Sequence, residues 1–562
     1  MRRRVLAVFA ALLVAGCTSI PTSGPVEEVP LTEAPVGIEV APQPPRGGDA
    51  PAQIIEGFLL AMAHPDTNHR IARSYLTPEA AERWDPASGT TVYAGSVVED
   101  GGAFSVRGVR VGDVGADGRF TPDGTSLRHD FGLTQVDGQW RVANPPDGVL
   151  VSRYLFERVY SQLTMWFTDP ADGHLVPDVL TVPEAEVTPA RVVTALLDGP
   201  SPHLKGVVAN AMPHRATLGP DGATLSDDGV VTVDLRGLDT SMPTEGRRRL
   251  GAQLLWSLSA IPRVSGLRVT SGGWPFELPG QSADGVLELA TQQQYSVLAR
   301  ATSQTLFAVR DGVPGRFDDN GRFVALEGDL PPTAELAMTL DGSQMALIGK
   351  DRRTLRTGPP DGALRSVDAG LTSLRDGQWV LGRFHVLGED AQGRTRLVAI
   401  DQQGRVDRYE VELPAGTSLV DVAMNPAGGQ AVVLAARGDV TSLGRLTVGP
   451  GRQLRHWTEL PVVGADGDRV GRFRDVRWNS ESTFVVVGDG AEEQVLAVVS
   501  ADGATSQELG TIGTRVLEIA ALPRPGGGLI AVRGADGSVW RSLPSNRWSR
   551  GEATATSLHY PG

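Results

Sequence analysis

The chain has 562 residues, of which 41% are apolar and 21% are charged, and it carries one cysteine and a formal net charge of −14. These values exclude a polytopic membrane protein, a disulfide-stapled scaffold and a wholly disordered chain. The acidic balance also argues against a nucleic-acid-binding protein, because no basic stripe follows the first four residues. At roughly 100 to 200 residues per domain, the length predicts about three domains.

The N-terminus has the pattern of an export signal. Arg2, Arg3 and Arg4 form a positive segment, and residues 5–16 form an uninterrupted run of apolar and small residues that ends just before Cys17. As a helix this run would span about 18 Å, whereas the hydrocarbon core of a bilayer is about 30 Å thick. The segment is therefore too short to remain as a transmembrane anchor.

The residues around the cysteine indicate another means of attachment. Leu13-Val14-Ala15-Gly16-Cys17 resembles the bacterial lipobox, with Val14 where Leu is usual. The resemblance implies that signal peptidase cleaves between Gly16 and Cys17, which removes the signal peptide of residues 1–16. It also implies that Cys17 carries an S-diacylglyceryl group and an N-linked acyl chain such as palmitate, and two or more acyl chains give stable anchoring. The alternative, an ordinary signal peptide with Cys17 as a chance residue, leaves the single thiol without a use.

Residues 17–51 form the predicted lipidated tether. Eight prolines lie between residues 18 and 51, and apolar periodicity is almost absent. This composition is typical of a semi-rigid polyproline-II spacer, which at about 3.1 Å per residue reaches up to about 100 Å. We therefore expect the globular part to stand off the membrane.

The first predicted globular domain, residues 52–150, starts with helices and continues with strands. Apolar residues share one helical face near its beginning, and Thr77-Pro78-Glu79 is typical of a helix start. The pattern predicts a small α+β domain with helices on a curved antiparallel sheet, which resembles the NTF2-like cone fold. Such cones can hold a cavity with an acid and a histidine. His129 and Asp130 are the one neighbouring pair, and we expect both on a surface strand.

The second predicted domain, residues 151–280, has two helix signals. One helix begins at Thr188-Pro189 and ends at Gly199-Pro200, and another runs from about Pro243 to Leu258. Three arginines, Arg247 to Arg249, lie near the start of the second helix. We interpret them as a solvated helix face, because cations oppose the helix dipole at an N-terminus.

Several segments of this domain resemble the GerMN domain, an α+β module of exported bacterial proteins that act in envelope remodelling and sporulation. The GerMN module has no known catalytic residues, so the resemblance implies a binding or scaffolding role. The segments that carry it are Leu175-Val176-Pro177, Ala195 to Pro200, Val231 to Leu235, Gln253 to Leu258 and Ile261 to Val264.

Residues 281–562 repeat one motif, in which a short apolar strand is followed by a turn and by a second strand rich in Val, Ala and Leu. The motif recurs about every 40 to 50 residues, which predicts an all-β propeller of about six blades. A pair of β-sandwiches is the alternative, but it gives no cause for the period. The first strands of the six copies are predicted to begin at Val297, Leu336, Thr372, Val422, Val476 and Ile519.

The sequence lacks the motifs that indicate an enzyme. It has no H-E-x-x-H, G-x-S-x-G, Walker or dinucleotide-binding motif, and its nine histidines show no metal-ligand spacing. We therefore predict no catalytic residue, no cofactor and no metal site. A propeller hydrolase or quinoprotein would require a ring of acids and histidines at the blade mouths.

Two short segments and one tryptophan are candidate binding sites. Asp318-Asp319-Asn320-Gly321 and Asp466-Gly467-Asp468 hint at calcium, but both have fewer spaced ligands than the ion requires, and an Asn-Gly hairpin turn explains the first. Trp274 lies between Gly273 and Pro275, outside the core patterns that hold most tryptophans. An exposed tryptophan there would suit a glycan-stacking platform.

The order of lipobox, Pro-rich spacer, α+β domain, GerMN-like domain and six-repeat β region resembles the LpqB family of actinobacterial lipoproteins. The resemblance implies a non-enzymatic accessory protein, lipid-anchored on the extracytoplasmic face of the cell membrane. Family members associate with the extracytoplasmic region of the histidine kinase MtrB and so modulate the MtrA/MtrB two-component system, which affects cell-wall homeostasis, division and development. The alternative is a wall-associated glycan- or peptide-binding lipoprotein without a kinase partner.

Overall fold

The computed structural model describes residues 41–64, 67–318, 320–464 and 467–562. Gly16, Cys17, the signal segment and most of the predicted tether lie outside the described residues. From Gln43 to the C-terminus the chain forms one compact unit. Contacts to the first domain begin within the predicted tether, because the Tyr75 hydroxyl donates to the Gln43 carbonyl at 2.7 Å.

The first domain begins with helices whose starts are fixed by local capping. Pro51 occupies the first turn of the first helix, and the Gln53 side chain accepts from the Ala50 amide at 2.8 Å. Thr77 caps the helix that Pro78 begins, as the sequence predicted, by accepting from the Ala80 amide at 3.2 Å. The helical segments are Pro51–Ala63, Thr67–His69, Arg70–Arg73, Pro78–Arg83 and Pro86–Ser88.

The strands of this domain form a bent sheet against which the first helix packs. Two long strands form an antiparallel hairpin, and the last strand joins the first one in parallel. Ile54, Ile55 and Phe58 of the helix are buried in the resulting core. The α+β architecture predicted for this region is confirmed. Its strands are Thr90–Asp100, Ala103–Val114, Phe120–Pro122, Ser126–Asp130, Leu133–Val136, Gln139–Val142 and Val149–Ser152.

The second domain contains both predicted helices. Thr188 caps Pro189–Asp198 by accepting from the Arg191 amide at 3.2 Å, and Gly199 ends that helix in a conformation with φ of 90°. The helix Thr244–Leu258 crosses between two parallel strands and buries its apolar face on them. A short helix, Arg153–Val159, precedes its first strand. The strands are Tyr160–Thr168, Leu175–Pro183, Thr217–Leu225, Val230–Arg236, Gly266–Ser271, Trp274–Pro275 and Leu287–Glu288.

The third domain is a propeller of six sheets, as predicted, and the β-sandwich alternative is rejected. The sheets are antiparallel except that Glu410–Val411 pairs in parallel with Gln453–Glu459. Short 3-10 turns at Leu289–Tyr295 and Leu298–Arg300 lead into it. Blade 1 comprises Ser557–His559, Phe307–Arg310, Val313–Phe317 and Phe323–Ala325, and blade 2 comprises Thr333–Met338, Met345–Gly349, Leu355–Gly358 and Arg365–Val367. Blade 3 comprises Thr372–Val380, Arg383–Glu389, Thr395–Ile400 and Val406–Arg408, and blade 4 comprises Ser418–Met424, Gln430–Arg437, Val440–Gly449, Gln453–Glu459 and Glu410–Val411. Blade 5 comprises Gly471–Trp478, Thr483–Asp489, Gln494–Ser500 and Ser506–Glu508, and blade 6 comprises Val516–Leu522, Leu529–Gly534, Ser538–Leu543 and Arg547–Thr554.

The ring is closed by the C-terminus. Ser557–His559 pairs antiparallel with Phe307–Arg310 and supplies the innermost strand of blade 1. Alternate residues of each innermost strand point to opposite neighbours, so that Leu336 packs with blade 1 and Ala337 packs with blade 3. Six apolar clusters, one for each pair of adjacent blades, result from this alternation.

Two of the predicted repeat strands are wrong. Val297 to Ala299 is not the first strand of blade 1 but lies at the 3-10 turn Leu298–Arg300, because the C-terminal strand already occupies the innermost position. In blade 3 the first strand begins at Thr372 as predicted, but the second strand of the motif is wrong, because no turn interrupts Thr372–Val380, which is one strand with irregular register. The Asp376 amide donates to Glu335 of blade 2 at 2.8 Å, which holds this segment against its neighbour instead of in a hairpin.

The three domains pack on one another at blades 4 and 5. Val179 of the second domain is part of the apolar cluster between these blades, while Val463 and Ala504 of the propeller are buried in the core of the first domain. Arg153 donates to the carbonyls of Val463 and Gly464. No helix among the described residues is long and apolar enough to cross a bilayer.

Candidate functional site

A cleft of about 840 Å³ opens where the three domains meet. Its floor comes from blades 4 and 5 and includes Gln430 and Arg445. Asp178 and Ser201 of the second domain form one wall, and the first domain provides the other. The volume lies within the range of ligand-binding pockets, and the lining is rich in charged and hydroxyl side chains. No signal in the sequence indicated this cleft, because it needs three domains that are far apart along the chain.

The wall of the second domain is a satisfied ion pair. Arg119 of the first domain contacts Asp178 at 2.8 Å and donates to the Gly199 carbonyl at 2.7 Å. Asp178 also accepts from the Ser201 amide at 2.8 Å and from its hydroxyl. Both charged groups therefore have partners within the protein.

The floor is different, because among the described residues one buried charge on it has no ion-pair partner and one buried acceptor has no donor. Arg445 is only 8% exposed, and its hydrogen bond is to the Ala501 carbonyl at 3.1 Å. Gln430 is 2% exposed, and its Oε1 accepts no hydrogen bond from the described residues. His203 lies beside them, and burial together with the charge of Arg445 holds its pKa well below the usual range. The floor thus combines a positive charge with a neutral histidine.

His129 and Asp130 do not form an acid and histidine pair, in agreement with the surface strand expected for both. His129 and Asp130 share the strand Ser126–Asp130, but Asp130 is exposed and accepts from the Gly132 amide at 2.9 Å. His129 lines the cleft, packs edge-on against Phe131 and contacts the Asn144 carbonyl at 3.0 Å. Burial lowers the pKa of His129. The surface strand predicted for the two residues is the one observed.

Trp274 is exposed, being 79% accessible at the tip of a hairpin between Gly266–Ser271 and Trp274–Pro275. The hairpin is held from below by Asp234, which is 1% exposed. Its Oδ1 accepts from the Gly273 amide at 3.0 Å and from the Thr270 hydroxyl at 2.9 Å. The bond from Gly273 contributes most to lowering the pKa of this carboxyl. A rigid support therefore presents the indole to solvent.

The remaining candidate segments have structural partners. Arg247 donates to the Met242 carbonyl and lies over the Phe276 ring, while Arg248 and Arg249 both contact Glu245. These contacts agree with a helix-face role. Asp318 accepts from the Asn320 and Arg322 amides in a turn, and Asp319 and Asp466 lie outside the described residues.

One cluster of the described residues has the composition of a metal site. The potential ligand atoms of Asp169, Asp172 and His174 lie within 4.8 Å of one another. Asp169 already accepts from the amides of Ala171 and Asp172, and the His174 Nε2 contacts the Ala427 carbonyl at 3.0 Å. These bonds fix a turn and join the second domain to the propeller.

The propeller channel contains a ring of acids that sequence reasoning missed. Each of five innermost strands contributes one carboxylate, and Arg477 lies among them. Arg477 contacts Asp475 at 2.8 Å, Asp421 at 2.9 Å and Asp376 at 3.1 Å. The acids of the ring are Glu335, Asp376, Asp421, Asp475 and Glu518. Their regular placement becomes visible only when the innermost strands are assigned.

The same carboxylates join neighbouring blades. Glu335 accepts from the Asp376 amide, Asp475 from the Ile519 amide and Glu518 from the Leu558 amide. Burial raises the pKa of Glu335 to about 7, and the charge of Asp376 adds to this rise. Burial likewise raises the pKa values of Asp376 and Asp475 to about 6 each. The ring therefore joins neighbouring blades by hydrogen bonds, and its carboxyl groups titrate near neutral pH.

Comparison with known families gives three matches in chain order. Residues 44–157 match the model described as the N-terminal domain of lipoprotein LpqB, and residues 164–277 match the model described as sporulation and spore germination. Residues 319–557 match the model described as the LpqB beta-propeller domain. The GerMN and propeller resemblances seen in the sequence are thereby confirmed.

Two solved structures are similar to parts of this chain at low identity. The first GerMN domain of the sporulation protein GerM from Bacillus subtilis is 16% identical, with a TM-score of 0.20, over 23% of this chain and 98% of that domain. A putative TolB from Agrobacterium tumefaciens is 11% identical, with a TM-score of 0.33, over 44% of this chain and 87% of that one.

Relatives match along nearly the full length. Lipoprotein LpqB of Cutibacterium acnes is 30% identical over 581 aligned positions, which cover 97% of this chain and 97% of the relative. Lipoprotein LpqB of Thermobifida fusca is 28% identical and covers 98% of this chain and 97% of its own. Because a relative of this identity spans all three domains in the same order, the chain belongs to the LpqB family of lipoproteins.

Proposed function

We propose that the protein is a membrane-anchored, extracytoplasmic accessory lipoprotein that acts by binding the sensor kinase MtrB and thereby modulates the MtrA/MtrB system. Membership of the LpqB family supports a lipoprotein, and the lipobox residues ending in Cys17 support the anchor. The kinase partner, and the effects on cell-wall homeostasis, division and development, come from the family resemblance. In this proposal the protein is an adaptor and catalyses no reaction.

The observation that carries the proposal is the exposed Trp274. Tryptophan is enriched among the residues that dominate protein interfaces, and the Trp274 side chain is largely exposed to solvent. The buried Asp234 holds the Gly273 amide, so the hairpin is already ordered before it meets a partner. Preorganisation of this kind lowers the entropic cost of binding.

The mechanism is differential affinity for the signalling states of the kinase. An accessory protein shifts an equilibrium only as far as its affinity differs between the two states. Anchoring both partners in one membrane raises their effective concentration, provided that the tether can span the gap. The Pro-rich segment would set the height at which the Trp274 hairpin meets the kinase.

A pull-down with the MtrB ectodomain tests the docking. The Cys17→Ala form of the chain should be retained, and Trp274→Ala should weaken retention about tenfold or more, as expected for an interface residue worth roughly 2 kcal/mol. Tyr154→Ala serves as the matched control, because Tyr154 is exposed but lies on the helix Arg153–Val159 and not on the Trp274 hairpin. Absence of retention at high protein concentration would contradict the proposal.

The anchor is tested separately. In the native host, the wild-type protein should fractionate with the membrane and yield an acylated N-terminal Cys17 by mass spectrometry. Cys17→Ala should release the protein from the membrane. An unmodified wild-type chain free in the medium would exclude the anchored form.

The second candidate is a wall-associated glycan- or peptide-binding lipoprotein without a kinase partner. The exposed indole favours it also, since a flat aromatic face stacks on sugars. Co-sedimentation with purified peptidoglycan that is lost in Trp274→Ala, together with no retention of the kinase, would select this function over the first.

A further inference from the structure

The floor of the interdomain cleft contains a buried charge that the protein does not neutralise. No carboxylate oxygen of the described residues lies within 4.0 Å of the Arg445 guanidinium, although the side chain is withdrawn from water. Buried charges in proteins are normally paired, because an unpaired one costs several kcal/mol. An arginine has five N–H donors, and Arg445 uses one hydrogen bond to a carbonyl.

The two acids whose charges act on Arg445 have their own hydrogen-bond partners. Asp502 accepts from the Ser500 hydroxyl at 2.7 Å and from the Ala504 amide at 3.1 Å. Asp178 is held by Arg119 and Ser201. Their charges influence Arg445 at longer range but leave its hydrogen-bonding donors unmatched.

A second unmatched group lies on the same floor. The Oε1 of Gln430 is buried without a donor. Gln430 and Arg445 lie on two paired strands of blade 4, where Gln430 pairs with Thr447 and Arg445 pairs with Val432. Both side chains line the cleft. One group therefore needs an acceptor with negative charge, and the other needs an N–H or O–H donor.

These requirements define the chemistry of the missing partner. A guanidinium binds carboxylate or phosphate in a bidentate manner. Asp178 and Asp502 also line the cleft and add negative charge around Arg445, which favours a singly charged carboxylate over a phosphate dianion. We propose that the cleft binds a small ligand in which a carboxylate, held by Arg445, lies next to an N–H or O–H group that donates to Gln430.

A peptide with a free C-terminus and an acidic sugar both carry this arrangement, and the cleft of about 840 Å³ has room for either. The site uses none of the residues of the Trp274 hairpin. It therefore stands or falls independently of the docking to a kinase.

The test is a ligand-observed NMR titration of the full chain, solubilised in detergent, with two matched pairs of probes. Triglycine is compared with triglycinamide, and D-glucuronate is compared with D-glucose. At least one acid should bind with a dissociation constant of about 1 mM or lower, and its neutral partner at least tenfold more weakly. The pair that shows the difference identifies the peptide or the sugar source.

Variants locate the site. Arg445→Gln should weaken binding of the acid at least tenfold, whereas Arg128→Gln, at the exposed rim of the cleft, should leave it within about twofold. Gln430→Met should also weaken it, and this variant decides the matter if Arg445→Gln fails to fold. Trp274→Ala should bind the probe normally.

Four results would overturn the proposal. One is the absence of binding by both acids at about 10 mM, and another is equal binding of the acid and its neutral partner. The third is unchanged affinity in a folded Arg445→Gln or Gln430→Met variant. An equal loss in Arg128→Gln would also refute a floor site, because it would show general attraction by the rim.

Discussion

The propeller channel and the interdomain cleft both withdraw charged side chains from water, but only the channel satisfies them. Burial opposes the charge of Arg477, yet the carboxylates of Asp475, Asp421 and Asp376 raise its pKa well above the usual range. For Arg445, burial has the larger effect and lowers the pKa, because Asp502 and Asp178 compensate only in part.

The difference separates a structural network from a binding surface. A fully bonded polar network rigidifies the fold, whereas a partly satisfied one is costly unless something else completes it. Charge and burial by themselves therefore do not identify a ligand site. On the cleft floor a guanidinium without an ion pair lies beside an unmatched acceptor, and this combination favours a ligand site.

The largest effect is expected from removing the strand that closes the channel. Deletion of residues 557–562 removes the buried side chains of Leu558 and Tyr560 and the innermost strand of blade 1. The side chains alone account for about 5 kcal/mol or more of unfolding free energy. Urea denaturation followed by circular dichroism measures the loss, and deletion of Gly562 alone is the control. A deletion variant with wild-type stability would show that the ring does not depend on this strand.

Loss of the central cation should be the next largest effect. Arg477→Gln leaves three carboxylates in the channel without their ion pair, which should lower the unfolding free energy by about 3 to 5 kcal/mol. The loss should be smaller at pH 5 than at pH 8, because protonation then neutralises the acids. Arg352→Gln is the matched control, since this half-exposed arginine pairs with a single acid and should cost about 1 kcal/mol or less. Equal losses of unfolding free energy in the two variants would show that Arg477 stabilises the fold no more than a half-exposed arginine does.

The raised pKa of Glu335 predicts that the stability of the fold depends on pH. Between its unfolded value near 4.5 and its folded value of about 7, the native state binds a proton that the unfolded chain has released. Glu335 therefore contributes stability at low pH that is lost as pH rises through 7. Relative to wild type, Glu335→Gln should gain about 1 to 2 kcal/mol of unfolding free energy between pH 5 and pH 8. The exposed Glu412→Gln should show no such trend, and a flat difference for both variants would contradict the assignment.

Replacement of Arg445 in the cleft should change the unfolding free energy only a little. Arg445→Gln removes a poorly paired charge, so the unfolding free energy should stay within about 1 kcal/mol of wild type or increase. The same urea denaturation, run beside Arg477→Gln, makes the comparison direct. A loss as large as that of Arg477→Gln would mean that Arg445 is already paired within the protein.

The smallest effect concerns Gln430. Replacing it with Met, which has a similar volume, removes a buried acceptor that has no donor, and should raise the unfolding free energy by up to about 1 kcal/mol. Thr447→Val, on the paired strand, is the control. Its hydroxyl donates to the His203 carbonyl at 3.0 Å, so this variant should lose stability. A clear loss in Gln430→Met would indicate a hidden partner.

Much of the fold could be predicted because its signals are local. Thr77 and Thr188 cap the helices that their neighbouring prolines begin, and the strand pair that starts at Val422 folds as its alternation indicates. The six-blade count was correct even though Val297 to Ala299 was misassigned. The innermost strand of blade 1 is Ser557–His559, which lies at the opposite end of the propeller sequence from its partner strand Phe307–Arg310. No window of sequence contains both partners of that pairing.

The amino-acid sequence by itself determined the order of the modules, the period of the propeller and the prominence of Trp274, because capping, alternation and Gly-Pro flanks act over a few residues. Only the tertiary structure decided which strand closes the ring, which acids meet around Arg477, and which polar groups on the cleft floor are left unmatched. These outcomes depend on groups brought together from distant parts of the chain. Hydrogen bonding and the cost of a buried charge are properties of that shared environment and not of any residue alone.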